Sequence, residues 1–234
     1  MASFPAGSLG VVIGASGAIG SALLGRLRAA FGVSLAVGFS RAGSPSLDLT
    51  SEETIAEAAS TVSRLEAPLR LIIDATGFLH GEGAMPEKSW RQLDAGYLSK
   101  SFALNAIGPA LLMKHFLPLL PRTGKAVFAT LSARVGSIGE NQLGGWYGYR
   151  ASKAALNQLV RTAAIELRRH APEAICVAMH PGTVDSRLSA PFAKRGLEVR
   201  SPSEAAGNLL DVIDRMLPAD SGNFLDYRGK PVAW

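Results

Sequence analysis

Seven residues, Gly14-Ala15-Ser16-Gly17-Ala18-Ile19-Gly20, constrain this chain more than any others. They stand between an apolar run, Leu9 to Ile13, and a segment of helical period from about Ala18 to Ala30. Glycines at this point let the backbone leave a strand, turn sharply and enter a helix within a few residues. A chain that opens this way builds a parallel sheet with crossover helices if the alternation of strand-length and helix-length segments continues.

It continues to the far end. Strands are expected at Ser34 to Phe39, Leu69 to Asp74, Lys125 to Leu131 and Ala174 to His180, with an edge strand at Asn223 to Leu225. Helices are expected at Ser51 to Leu65, Trp90 to about Leu120, Tyr149 to Arg169 and Ser203 to Leu217. Ser51 stands where an N-cap belongs, ahead of Glu52 and Glu53 in the first turn. Pro109 lies inside the longest of these helices and predicts a kink near Asn105, because proline cannot donate to the carbonyl four residues back. Between Phe39 and a brief strand at Ser46 to Leu49 only Ser40 to Pro45 remain, so a loop replaces one crossover helix. The architecture expected is a single-domain, Rossmann-type, doubly wound parallel sheet in three α/β/α layers, spanning residues 1–234.

Composition narrows the function classes. Hydrophobic residues make up 47% and charged residues 18%, enough apolar surface for one large core. The net charge is +5, yet the basic residues are scattered and aromatics reach only 7%, so a nucleic-acid partner is not expected. The single cysteine, Cys176, reads as a buried strand residue in a reducing compartment. The first residues carry no cationic-then-apolar pattern, and Lys114 and His115 interrupt the longest apolar stretch. A cytoplasmic protein with no membrane partner is the expectation. His80 and His115 have no second ligand at metal spacing, so no metal is expected.

The glycine turn is suited to a pyrophosphate, which would sit on the unpaired N–H groups of the helix start. In dinucleotide-binding folds an acid at the end of the second strand takes the ribose hydroxyls of NAD. Here that strand ends Gly38-Phe39-Ser40-Arg41, with no acid and a guanidinium matched to a 2′-phosphate, so NADP(H) is favoured over NAD(H). Tyr149 and Lys153 lie four residues apart at a helix start, which places both on one face. A free tyrosine has a pKa of about 10, and a cation about 4 Å away contributes roughly 4 kcal/mol at moderate dielectric. The expectation is a Tyr149 phenol brought down toward neutrality by Lys153, as a proton donor requires. Tyr147 has Ala151 at the corresponding spacing and reads as pocket lining beside Trp146.

Taken together, these residues resemble the short-chain dehydrogenase/reductase family over almost the whole chain, although Ile13 and Ala18 replace a threonine and a glycine of its first turn. The stretches Gly145 to Ala155 and Asp220 to Phe224 resemble its C-factor-like and sniffer-like carbonyl reductases. The resemblance implies cofactor contacts at Gly14, Ser16, Gly17, Ile19, Gly20, Arg41, Asp48, Leu49, Gly77, Tyr149, Lys153, Pro181, Gly182 and Thr183. It implies a catalytic set of Asn105, Ser132, Tyr149 and Lys153, with Asn105 also supporting the helix kink. The family carries Ser-Ser-x-x-Gly where this chain has Ser132-Ala133-Arg134-Val135-Gly136, so the second serine position is Ala133. Ser132 is the favoured hydroxyl and Ser137 the alternative.

The function expected is an NADPH-dependent oxidoreductase that delivers hydride to a small-molecule carbonyl compound, working as a homodimer or homotetramer. The competing reading is a signalling or redox-sensing protein that binds NADP(H) with little turnover. The segment Ser186 to Ser201, expected to shape the substrate pocket, carries no interpretable pattern.

Overall fold

The computed structural model describes residues 1–30, 33–81, 83–192 and 198–234. Six parallel strands form one sheet in the order β2-β1-β3-β4-β5-β8. They are β1 (Ser8–Ile13), β2 (Val33–Phe39), β3 (Leu69–Asp74), β4 (Ala126–Leu131), β5 (Ala174–His180) and β8 (Phe224–Asp226). A separate parallel pair joins β6 (Thr183–Val184) to β7 (Val199–Arg200). Helices α1 (Ala18–Arg28) and α6 (Pro202–Arg215) cover one face. The other face carries α2 (Glu52–Ser63), α3 (Ala95–Phe102), α4 (Gly108–Phe116) and α5 (Tyr147–His170).

The central strands read as continuous apolar runs because both faces are buried, and alternate residues feed different cores. In β4, Ala126 and Phe128 join Ile55, Leu112 and Leu156 on one side. Val127, Ala129 and Leu131 join Leu23 and Leu209 on the other. Ile13 pairs with both Phe39 and Asp74, Asp74 with Thr130, and Leu131 with Met179. The carboxyl ends of the strands therefore stand in one line. The chain reverses direction across the sheet between β1 and β3, and in such sheets a crevice opens beyond the strand ends at that point.

Two local expectations change. Ser46 to Leu49 is not a strand: Leu47 N–H bonds Ser40 O, Asp48 N–H bonds Thr54 Oγ1, and Leu47 and Leu49 turn into the core. Its polar backbone is satisfied within its own loop and by α2. Ser51 does hold the N-cap position of α2, but its hydroxyl makes no capping bond. The 90–120 segment is interrupted twice. After a short 3₁₀ turn over Trp90–Gln92, Asp94 caps α3 by accepting from Tyr97 N–H at 2.7 Å. The expected kink at Asn105 is a π-helical turn over Ala103–Ile107, five residues before α4 resumes with Pro109 in its first turn. By length and composition the 95–119 stretch could cross a bilayer, but Leu112, Met113 and Phe116 are spent on the core.

Candidate active site

The crevice between the ends of β1 and β3 is a cleft of about 400 Å³. Its lining brings together Gly14, Ser16, Gly17, Arg41, Asp48, Leu49 and Gly77. Gly14 has φ +80°, and a Cβ there would lie 3.1 Å from the Ala75 carbonyl group. A Cβ at Gly20 would fall 2.2 Å from Gly14 O, so Gly20 is what lets α1 seat against the turn. Ile19 lies in the first turn of α1 and, like Gly20, is not part of the cleft wall. Ala18, the departure from the family turn, is exposed. No side chain caps α1, whose first N–H groups remain for an anion. Arg41 stands exposed at the mouth beside Asp48. The Asp48 carboxyl is held below its usual range by hydrogen bonds from the Thr50 hydroxyl and amide, with Arg41 adding attraction.

Further along the strand ends, α5 presents Tyr149, Lys153 and Asn157 at successive turns of one buried face. Lys153 Nζ donates to Leu131 O at 2.8 Å. Burial lowers its pKa to about 8, against the pull of Asp74. Asp74 is itself buried, receiving Thr76 N–H at 3.0 Å and the Thr130 hydroxyl at 2.7 Å, and burial raises its carboxyl. For Tyr149 the balance is opposite to the sequence-based expectation. Enclosure of the phenol, reinforced by Tyr97, pushes its pKa above the ordinary value, and Lys153 does not offset this. Desolvation of the buried phenol is the larger cause, and Lys153 contributes no compensating pull. The phenol is protonated at neutral pH with or without this shift, and the shift makes it a weaker acid than a free tyrosine.

Asn105, in the π turn, is fully buried and links two elements. It accepts Phe78 N–H at 2.8 Å, donates to Phe78 O at 2.7 Å and reaches Ser152 Oγ at 3.1 Å. Gly77 lies beside it, its Cβ position 3.9 Å from both Asn105 Oδ1 and Lys153 Nζ. Ser132 is buried at the end of β4, and its hydroxyl donates to Asn157 Oδ1 at 2.7 Å. Ser137 Oγ accepts Glu140 N–H at 3.1 Å and lies 3.4 Å from Trp234 O. Pro181, Gly182 and Thr183 follow β5, with Gly182 at φ +80°. A Cβ there would meet Arg200 Nη1 at 2.9 Å and the Tyr227 ring at 3.2 Å. Arg200, a buried cation stacked 3.9 Å from that ring, carried no signal in the sequence.

An aromatic row crosses the mouth of the phenol site. His80 meets Phe192 at 5.6 Å, Phe192 meets Trp146 at 4.8 Å, and Trp146 meets Tyr149 at 6.2 Å. Tyr147 contributes to none of these contacts. His80 Nε2 also lies 3.0 Å from Arg187 O, tying the segment after β6 to the loop after β3. Residues 193–197 of the expected substrate segment lie outside the described residues. His115, like His80, sits with a partner of its own, 2.9 Å from Glu52 Oε1.

A family model described as enoyl-(acyl carrier protein) reductase matches residues 33–212, most of the chain. The chain belongs to the short-chain dehydrogenase/reductase family of oxidoreductases. Among its relatives in that family, a 1-hydroxy-2-glutathionyl-2-methyl-3-butene dehydrogenase of Rhodococcus sp. is 30% identical over 190 residues, covering 81% of this chain and 79% of the relative. The C-signal protein of Myxococcus xanthus is 37% identical over 143 residues, covering 61% and 81%. An NADPH-bound carbonyl reductase from chicken fatty liver superposes with a TM-score of 0.84 at 27% identity, over 99% of this chain and 100% of that one. The D. melanogaster carbonyl reductase Sniffer shares the fold, with a TM-score of 0.83 at 20% identity.

Proposed function

We propose that this short-chain dehydrogenase/reductase is an NADPH-dependent carbonyl reductase. The observation that carries the reading is the buried Tyr149–Lys153 face of α5, joined to the cleft of Gly14, Gly17 and Arg41 through Gly77, whose Cβ position lies 3.9 Å from Lys153 Nζ. NADPH supplies the hydride when bound. Gly14, Ser16 and Gly17 hold its pyrophosphate on the start of α1, and Arg41 pairs with the 2′-phosphate. Asp48 and Leu49 flank the adenine, and Pro181, Gly182 and Thr183 border the nicotinamide end. Tyr149, a phenol protonated at neutral pH, gives its proton to the carbonyl oxygen as charge develops there. Lys153 holds the ribose end of the cofactor and returns a proton toward the phenol, while Asn105 fixes the geometry behind it. Gly77 leaves room between Asn105 and Lys153.

The NADPH-bound chicken carbonyl reductase supports the cofactor assignment. The relationship to the C-signal protein favours one rival, a signalling protein that binds NADP(H) without significant turnover. Self-association is assigned to the largely apolar groove between α4 and α5, lined by Met113, Leu117, Leu159 and Ala163, and light scattering reads the oligomeric state. The buried Cys176 suits a cytoplasmic setting.

The deciding experiment follows NADPH oxidation across aldehydes, ketones and quinones. Turnover by the unmodified chain, abolished in Tyr149→Phe with NADPH binding retained and unaffected in Tyr147→Phe, is the result expected. Tight NADPH binding with no substrate consumed across the panel overturns the reductase reading in favour of signalling.

A further inference from the structure

Helix α5 begins in an unusual way. Its N-cap, Trp146, is in the left-handed region at φ 52°, the only non-glycine with positive φ among the described residues, and no local side chain caps the helix. The orphan N–H groups of the first turn are instead met from far away by Glu87, in the loop between β3 and α3. Glu87 O accepts Trp146 N–H at 2.5 Å, and both carboxylate oxygens lie 3.2 Å from Gly148 N. The side chain is buried, only 3% exposed, so this carboxylate has left water for the helix end.

The space between the partners is made by glycine. A Cβ at Gly148 would come within 2.9 Å of Tyr97 Cε1 and 3.2 Å of Glu87 Oε1. Tyr149 is the next residue. Arg150 clasps the same turn from the other side, donating to the carbonyls of Gly144, Gly145 and Val135. Arg150 ties the turn to itself and to the 3₁₀ turn that follows β4, whereas Glu87 ties it to the loop that also supplies Gly77 and Phe78.

We infer that Glu87 is the positioning residue for the Tyr149 phenol: it replaces the missing N-cap of α5 and fixes the first turn against the β3–α3 loop. Glu87 touches no reacting atom. It acts by denying the Tyr149 backbone the freedom to fray, a freedom that helix ends otherwise have. This inference rests on the reductase reading, so its test has one readout that needs no substrate.

The experiment compares Glu87→Met, which fills the space without an acceptor, with Glu87→Gln, which keeps an acceptor for Gly148 N–H. Glu87→Met is expected to lower kcat tenfold or more while KM for NADPH stays within twofold. Glu87→Gln is expected to keep kcat within threefold of the unmodified chain. Amide hydrogen exchange at Gly148 and Tyr149 should accelerate at least tenfold in the Met variant and stay slow in the Gln variant. Should Glu87→Met not fold, Glu87→Leu, which also lacks an acceptor, is expected to give the same kcat and exchange pattern. Full activity in the Met variant, or equal losses in Met and Gln, overturns the assignment. If the unmodified chain reduces no carbonyl, the reductase reading fails and exchange decides alone: equal rates in all variants sink the clamp, and selective acceleration without the carboxylate's acceptor sustains it.

Discussion

Ser132 gives its hydroxyl to Asn157 Oδ1 at 2.7 Å, eight residues and so about 12 Å along the α5 axis beyond Tyr149. Asn157 Nδ2 is buried without a partner, so the serine is the amide's one side-chain contact among the described residues. Ser132→Ala is therefore expected to act on stability, lowering the unfolding free energy by about 1–3 kcal/mol as Asn157 loses its remaining partner. In this arrangement kcat stays within threefold. A hundredfold fall in kcat, the cost of removing a donor to a developing oxyanion, would instead assign the hydroxyl to the reacting carbonyl.

Arg41 is expected to govern cofactor choice. The end of β2 offers no carboxylate, and Arg41 is exposed at the cleft mouth, where a 2′-phosphate could be reached without moving the core. Arg41→Ala should weaken NADPH about tenfold to a hundredfold, as expected for a charge-assisted hydrogen bond worth about 1.5–3 kcal/mol, and leave NADH nearly unchanged. Equal affinities for the two cofactors in the unmodified chain would refute this, and fluorescence titration measures it.

The Lys153 ammonium is expected to set an alkaline limit. With its pKa at about 8 through burial, the free protein loses this charge as pH rises through 8, so kcat/KM for NADPH should fall on that side. Asp74 works in the opposite sense, favouring the ammonium. Asp74→Asn is expected to move the limb to lower pH, and a profile unchanged by that substitution would mean the two groups are not coupled.

His180 should set part of the acid sensitivity. Burial and the nearby Arg134 guanidinium lower its pKa to about 4, compared with about 6.5 in an unfolded chain. Between those values the unfolded chain binds a proton that the folded chain refuses, so stability falls as pH drops from 6.5 and levels off below 4. The window corresponds to about 3 kcal/mol. In urea titrations at pH 7 and pH 4, His180→Gln should lose less stability than the unmodified chain by about that amount.

Much of the sheet was legible because strands buried on both faces are largely apolar: Leu69 to Asp74 and Ala174 to His180 are apolar runs that each close on one polar residue, with Arg70 the one interruption. The bend at Asn105 was legible because Pro109 removes a backbone donor, a local fact. Other features depend on tertiary distances that no local pattern carries. The acidity of Tyr149 turned on how completely the phenol is enclosed. The partner of Ser132 turned on which core face the last residues of β4 address. Glu87 gave no signal at all, since the amide it meets is 61 residues away. The false strand at Ser46 to Leu49 came from reading buried leucines as sheet residues, when Leu47 and Leu49 are anchors of a loop.

That loop, Ser40 to Thr50, stands where a helix would otherwise cross the sheet, and this has an engineering consequence. It is pinned at Phe39, Leu47 and Leu49, while Arg41 to Pro45 carry little of the core. A graft between Phe39 and Leu47 that swaps Arg41 for an acidic residue should convert coenzyme preference without repacking a helix. Redesign at this edge is a matter of rewriting a short tether, and the buried face of α5 need not register the exchange.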